Sequence, residues 1–375
     1  MDPLSEFRKG IDRLNQEILT LVQERAEIVR QIARYKREHG VAAYDPTREE
    51  AMLRDLMRGR QGPFLAADIR AVFTAIFRAS LHLQQRERMG RRVPVVDPVV
   101  TPVRVGPVVV GADEPVLFFG PCAIESADQI EQIAALASSL EAPAVLRGGA
   151  YKPRTHPESF QGLREEGVRL LRAAGKKHSI PTVTEVLDVS ALEFVAGEAD
   201  MVQIGTRNMY NTELLKAIGR MGVPVLLKRG FMATLDEVAA AVDYVRAGGN
   251  DAVVLCERGI RTFDYRTRNT LDVAAVPLLR AEIGLPVIVD VSHAVGRTDL
   301  LLPCARAALA AGADGLMFEV HPQPEKALSD AIQQIDPESF LQLVEALDLG
   351  ATRRRRQRSS AGAERDRAED MKVLK

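Results

Sequence analysis

Side chains able to do chemistry recur at short intervals through the last two thirds of this sequence, each just after an apolar run. In order they lie in GPC (Cys122), LRGGAYKPRT (Arg147, Lys152, Arg154, Thr155), TEV (Glu185), IGTRN (Arg207), LLKRG (Lys228, Arg229), LCERG (Arg258), DVSH (His293) and FEVH (Glu319). Arginine presents a planar fork of donors to phosphate or carboxylate, and lysine a compact point charge. So many cations predict two polyanionic ligands rather than one. Cys122, His293, Glu319 and Asp330 add one thiolate, one imidazole and two carboxylates. That mixture suits a divalent first-row metal of the Mn, Fe, Co or Zn class, unlike the oxygen-only cages of calcium or magnesium. Taken singly, Cys122 reads as a small buried hydrophobe and His293 as a structural histidine. Asp330, in helical-looking ALSDAIQQ, has the least local support.

These residues need a scaffold that gathers them. Apolar runs at 116–119, 144–146, 181–186, 201–204, 224–227, 252–255, 286–291 and 315–320 alternate with helical segments. Near-continuous apolar strands alternating with helices predict a parallel sheet buried on both faces. Eight such units predict a (β/α)8 TIM barrel, whose active site collects at the carboxyl ends of the strands. Every reactive residue above falls there except Asp330, which lies past the eighth strand.

The first 89 residues carry a different pattern. Three helices are expected, at about 4–38, 46–58 and 66–87, separated by Gly40 and by Gly62-Pro63. The first carries Leu4, Phe7, Ile11, Leu14, Ile18, Leu21, Ile28 and Ile32 at helical spacing, with Arg25 filling one slot. Lys36 follows Arg25 by eleven residues, about 16 Å along almost the same face, and Arg8 lies near the start. A buried cation needs an anion, either a ligand or a carboxylate such as Asp45 or Glu49. A helix about 50 Å long is too long for two shorter partners, which predicts pairing with a second copy. The expected divisions are 1–90 for this all-α domain, 91–106 for a valine- and proline-rich linker, 107–350 for the barrel and 351–375 for a disordered charged tail.

Lys+Arg (50) nearly balances Asp+Glu (51), so no global field points to nucleic acid or membrane. The arginines at 353–356 and 358 are followed by acidic residues without aromatics, and read as a solvated tail. Three scattered cysteines and the lack of an apolar leader predict a reducing, cytoplasmic setting.

GPCAIES, LRGGAYKPRT, IGTRN, LLKRG, LCERGIRTF, DVSHAVGR and GLMFEVHP, in this order over about residues 107–348, resemble the 3-deoxy-D-arabino-heptulosonate 7-phosphate (DAHP) synthase family. The resemblance is narrower to the branch related to 3-deoxy-D-manno-octulosonate 8-phosphate synthases. It implies a metal bound by Cys122, His293, Glu319 and Asp330. It also implies phosphoenolpyruvate held by Arg147, Lys152, Arg207, Lys228 and Arg258, and erythrose 4-phosphate held by Arg154 and Thr155. Lys152 is the candidate proton donor. KPRT at 152–155 favours erythrose 4-phosphate over the octulosonate alternative, whose enzymes typically carry Asn in this region.

FRKGIDRLNQEILTLVQERAEIVRQIARYK, YDPTREE and LHLQQ, over about residues 4–88, resemble the all-helical chorismate mutases. That resemblance implies an intertwined dimer and a site lined by Arg8, Arg25, Lys36, Asp45, Arg48, Glu49 and Gln84, with Arg8 crossing from the partner subunit. Lys36 and Gln84 would donate to the ether oxygen of chorismate as negative charge grows there. Glutamine needs no proton to donate, so activity at neutral pH is expected. Chorismate and prephenate lie downstream of the barrel's product, which makes either one a candidate feedback ligand and the domain a regulatory module as well as, or instead of, a catalyst. The expected assembly is a dimer through the helical domain and a tetramer through the barrels.

Overall fold

Period-3.6 apolar spacing without breakers, then short valine- and leucine-rich runs closed by glycine, separate the chain into two kinds of structure. The computed structural model describes residues 3–38, 46–58, 62–89, 100–153 and 158–349. Asp45, Arg154, Thr155, the tail and most of the linker lie outside the described residues. Two units separate, Met1–Val95 and Val96–Lys375.

The first unit is three helices: α1 (Pro3–Glu38), α2 (Pro46–Arg58) and α3 (Ala66–Met89). Among the described residues of this unit, Val29 and Ala33 of α1, Leu53 of α2 and Phe77 of α3 are buried. The apolar stripe read from the sequence stays uncovered in the single chain: Leu4, Phe7, Ile11, Leu14, Ile18, Leu21, Ile28 and Ile32 are all exposed. Among the described residues of α1, Val29 and Ala33 are the buried apolar ones, beside that exposed stripe.

The second unit opens with the strands β1 (Val103–Val105) and β2 (Val108–Val110), an antiparallel hairpin that begins inside the expected linker. Gly106 turns it at φ +56°, a conformation glycine adopts without a Cβ clash. Then come β3 (Val116–Gly120), β4 (Ala144–Arg147), β5 (Thr182–Val186), β6 (Met201–Ile204), β7 (Val225–Lys228), β8 (Val253–Glu257), β9 (Val287–Asp290) and β10 (Gly315–Glu319). They close in sequence order into one parallel barrel, β10 pairing with β3. This is the expected (β/α)8 fold.

The helices between the strands are α4 (Ala127–Ala135), α5 (Glu165–Lys177), α6 (Val189–Glu198), α7 (Thr212–Gly219), α8 (Leu235–Arg246), α9 (Ala275–Ile283), α10 (Val291–Val295), α11 (Leu301–Ala310) and α12 (Pro337–Leu347). Side chains supply their starts: Ser126, Asp188 and Asp336 accept backbone N–H bonds at α4, α6 and α12, and Thr234 with Glu237 forms a capping box on α8.

Apolar side chains divide into two layers. Strand residues facing outward pack on the helices, where Phe340 of α12 stacks on Phe119 at 5.1 Å. Those facing inward, among them Phe118, Val145, Met201, Leu226 and Met317, form one cluster with Val103, Val105, Val108 and Val110 of the hairpin. Gly106 and Gly111 abut Pro181 and Pro286, the residues just before β5 and β9. The hairpin thus seals the amino-terminal end of the barrel and leaves the carboxyl end for ligands.

Candidate metal centre and anion sites

Six of the eight barrel strands end in, or are closely followed by, a polar residue at the open mouth. Cys122 follows β3, Arg147 ends β4, Lys228 ends β7, Arg258 follows β8, His293 stands in α10 after β9, and Glu319 ends β10. One ligand atom each from Cys122, His293, Glu319 and Asp330 lies within 4.8 Å of the others. Cys122 Sγ is 3.4 Å from Asp330 Oδ2, and His293 Nε2 is 3.4 Å from Glu319 Oε1 and 3.7 Å from Asp330 Oδ2. All four predicted ligands therefore meet. Asp330 is not in a regular helix: it sits at φ +51° ahead of a short 3-10 turn. Aspartate tolerates this left-handed conformation better than most residues.

Surrounding groups orient the four. Asp290 Oδ2 bonds His293 Nδ1 at 2.8 Å, which leaves Nε2 to face the carboxylates. Arg147 reaches Glu319 Oε1 at 2.7 Å and the Pro121 carbonyl at 2.9 Å. Gln333 donates to Glu319 Oε2 at 2.6 Å, and Arg268 binds Asp330 Oδ2 at 3.0 Å. Lys152 Nζ lies 2.9 Å from the Cys122 carbonyl and 3.0 Å from its sulfur.

The electrostatics follow from this packing. Burial, then the Glu319 charge, pushes the Cys122 thiol up to about 11. Burial alone would raise Glu319, but His293 and Arg147 hold it below the ordinary carboxylate range. Asp330 is likewise held low: burial is outweighed by Arg268 and His293. Burial lowers His293, favouring the neutral imidazole that ligates metals. A thiol, a neutral imidazole and two ionised carboxylates sharing one small volume fit a divalent cation better than they fit one another. The donor set passes that test on its chemistry.

The cations beside this cluster divide into two kinds. Lys228, 4% exposed, pairs with Asp290, and Arg258, 2% exposed, has a side-chain Nε without a hydrogen-bond partner. Arg207, on the turn after β6, is exposed to the mouth. Arg229, adjacent in sequence to Lys228, is tied instead to Glu257 and Asp272, at 2.8 Å each, and braces the loop. Sequence reasoning missed Asp290, Arg268 and Gln333. Only Asp290 left a signal, an Asp three residues before His293 at a helix start, where it also accepts the His293 backbone N–H at 3.0 Å.

In the helical unit, Arg25 bonds Ser80 Oγ of α3 and stands 5.3 Å from the Phe77 ring centroid. Among the described residues it has no carboxylate partner; of the candidate anions, Asp45 and the side chain of Glu49 lie outside the described residues. Gln84 lies one helical turn beyond Ser80 on the same face. Its buried Oε1 has no hydrogen-bond partner. Lys36 is half-buried, and Arg8 and Arg48 are exposed.

Residues 93–351 match the DAHP synthetase I family, and residues 7–85 match chorismate mutase type II. The phospho-2-dehydro-3-deoxyheptonate aldolase of Thermotoga maritima is 49% identical over 250 residues, 67% of this chain and 74% of that protein. The 2-dehydro-3-deoxyphosphooctonate aldolase of Thioalkalivibrio sulfidiphilus is 35% identical over 239 residues, 59% of this chain and 84% of that one. Among solved structures, the crystal structure of the Thermotoga maritima phospho-2-dehydro-3-deoxyheptonate aldolase (DAHP synthase) superposes with a TM-score of 0.64 at 47% identity, covering 68% of this chain and 75% of that one. A truncated form of the 3-deoxy-D-arabino-heptulosonate 7-phosphate synthase from Thermotoga maritima superposes at 0.61 with 45% identity, covering 66% and 90%.

Proposed function

We propose that this chain, which belongs to the DAHP synthetase I family and carries a chorismate mutase type II domain, condenses phosphoenolpyruvate with erythrose 4-phosphate and also rearranges chorismate to prephenate. The observation that carries the barrel half is the convergence of four ligand atoms within 4.8 Å at the one open end of the barrel, ringed by buried cations.

Cys122, His293, Glu319 and Asp330 would hold the divalent metal, of the Mn, Fe, Co or Zn class. Bound there, it supplies Lewis acidity to an aldehyde oxygen. Arg147, Lys152, Arg207, Lys228 and Arg258 bind the phosphate and carboxylate of phosphoenolpyruvate. Arg154 and Thr155 hold the aldose phosphate, and the cations overcome repulsion between the two polyanions. The methylene carbon of phosphoenolpyruvate forms a carbon–carbon bond to the aldehyde carbon. Lys152 gives its proton to the oxygen that becomes an alkoxide. Water adds at the neighbouring carbon, which carries positive character, and loses a proton; inorganic phosphate then leaves the hemiketal.

In the helical domain, Arg8, Arg25 and Arg48 grip the two carboxylates of chorismate, with Asp45 and Glu49 completing the pocket. Lys36 and Gln84 donate to the breaking ether bond. The exposed apolar stripe of α1 supports a dimer through this domain, and the barrels would then assemble two dimers into a tetramer. Prephenate or chorismate bound here would inhibit the barrel, provided it binds two global states unequally. A thiol ligand at Cys122 suits a reducing cytoplasm, and no described helix is long and apolar enough to cross a membrane.

A coupled assay tests the proposal: loss of phosphoenolpyruvate with erythrose 4-phosphate or arabinose 5-phosphate, beside loss of chorismate. Turnover restricted to arabinose 5-phosphate would assign the octulosonate reaction instead. Unchanged prephenate inhibition after removal of residues 1–90 would end the feedback reading.

A further inference from the structure

Three guanidinium groups gather around one aromatic ring at the barrel mouth. Arg207, Arg258 and Arg261 stand 5.7, 4.9 and 4.3 Å from the ring centroid of Phe231. Phe231 follows β7 by three residues, and its carbonyl accepts the Arg261 backbone N–H at 2.8 Å. That bond ties the segment after β8 to the segment after β7. Among the described residues, no carboxylate makes an ion pair or side-chain hydrogen bond with any of the three arginines. Arg258 reaches only the Gly259 carbonyl, at 3.4 Å, and its Nε is unpartnered in a buried position.

Like charges brought together with no directly bonded carboxylate repel, so a purely structural arrangement would pair them, as Arg229 is paired with Glu257 and Asp272. An aromatic face attracts a guanidinium by about 0.5–2 kcal/mol while consuming none of its N–H donors. The ring therefore assembles positive charge and leaves the forks free for an anion. Phosphoenolpyruvate, with a phosphate and a carboxylate on three carbons, is the substrate that requires this density of donors. Arg261 is exposed and Arg258 buried, so the set runs from the solvent edge of the mouth inward.

We infer that Arg261 is a fourth arginine of the phosphoenolpyruvate site, clustered with Arg207 and Arg258, and that Phe231 is the positioning residue holding these three guanidinium groups in place. The inference rests on the reading of the barrel as a phosphoenolpyruvate-condensing enzyme.

Full-length Arg261→Gln, Phe231→Leu and Phe231→Tyr are compared with the parent chain. Initial rates are taken against each substrate, with inorganic phosphate as inhibitor. Removing one charge-assisted contact predicts a rise of about tenfold in the KM for phosphoenolpyruvate with kcat nearly unchanged. The inhibition constant of phosphate rises in step, and the KM for the aldose phosphate stays put. Phe231→Leu follows the same pattern, and Phe231→Tyr, which keeps the π face, restores the parental KM. An unchanged KM for phosphoenolpyruvate in Arg261→Gln, on a parent that is active, overturns this inference alone. A rise confined to the aldose phosphate overturns it too. A parent that consumes no phosphoenolpyruvate overturns the underlying reading. Arg261 is exposed, so its variant decides the matter even where Phe231→Leu fails to fold.

Discussion

Asp290 Oδ2 lies 2.8 Å from His293 Nδ1 and also pairs with Lys228, so one buried carboxylate orients both a candidate metal ligand and a candidate anion ligand. Asp290→Asn keeps the helix-capping geometry, since Asn caps as well as Asp. It removes the charge that fixes the imidazole. Metal affinity should fall about 10–100-fold, as for other partners of metal-bound histidines. A titration of activity against added metal checks this. Saturation at the parental concentration would show that Asp290 does not position His293.

Chelation should separate the two activities. Removing metal is expected to abolish consumption of phosphoenolpyruvate while chorismate loss in the same sample continues, because Arg25, Lys36 and Gln84 need no ion. Parallel loss of both would contradict a metal site confined to the barrel.

Gln84→Glu should make the helical domain acid-dependent. A carboxyl donates a hydrogen bond only when protonated, and glutamate ordinarily titrates near pH 4.3. Chorismate turnover is expected to drop at pH 7.5 and to recover as the pH falls. A flat profile equal to that of the parent would remove Gln84 from the mechanism.

Asp188 caps α6 through the N–H groups of Ser190 and Ala191, at 2.9 and 3.2 Å. The Ser190 hydroxyl, and then these amides, hold its carboxyl below the usual range despite some burial. The cap therefore contributes above the unfolded pKa of about 3.9 and is lost as pH falls through the lower folded value. Asp188→Ala should cost about 1 kcal/mol at pH 7, with the difference shrinking in acid. Urea unfolding at both pH values measures it; a pH-independent difference would mean that the charge plays no part.

The sequence made the barrel legible because each strand is a short apolar run separated from the next by a helical segment, a pattern that survives without partners. Cys122, His293, Glu319 and Asp330 could be grouped because their donor atoms differ from those of turn-forming residues. Adjacent Lys228 and Arg229 could not be told apart, since only the register of β7 against β8 sends one to Asp290 and the other to Glu257. Arg268 and Gln333 gave no signal: they reach Asp330 and Glu319 through loops whose paths no periodicity encodes. On α1, helical spacing picked out the apolar stripe from Leu4 to Ile32 but not Val29 and Ala33, which are the residues buried in the helical unit.

The sulfur of Cys122 meets the carboxylate of Asp330 across 208 residues of chain. The pairing of β10 with β3 that closes the ring is what brings these ends together. A nascent chain released before its final strand can hold no more than fragments of the cluster. An ion bound by all four groups would favour the finished barrel over every shortened one by mass action. The same four side chains proposed for chemistry would then report that synthesis of the barrel has reached its last strand.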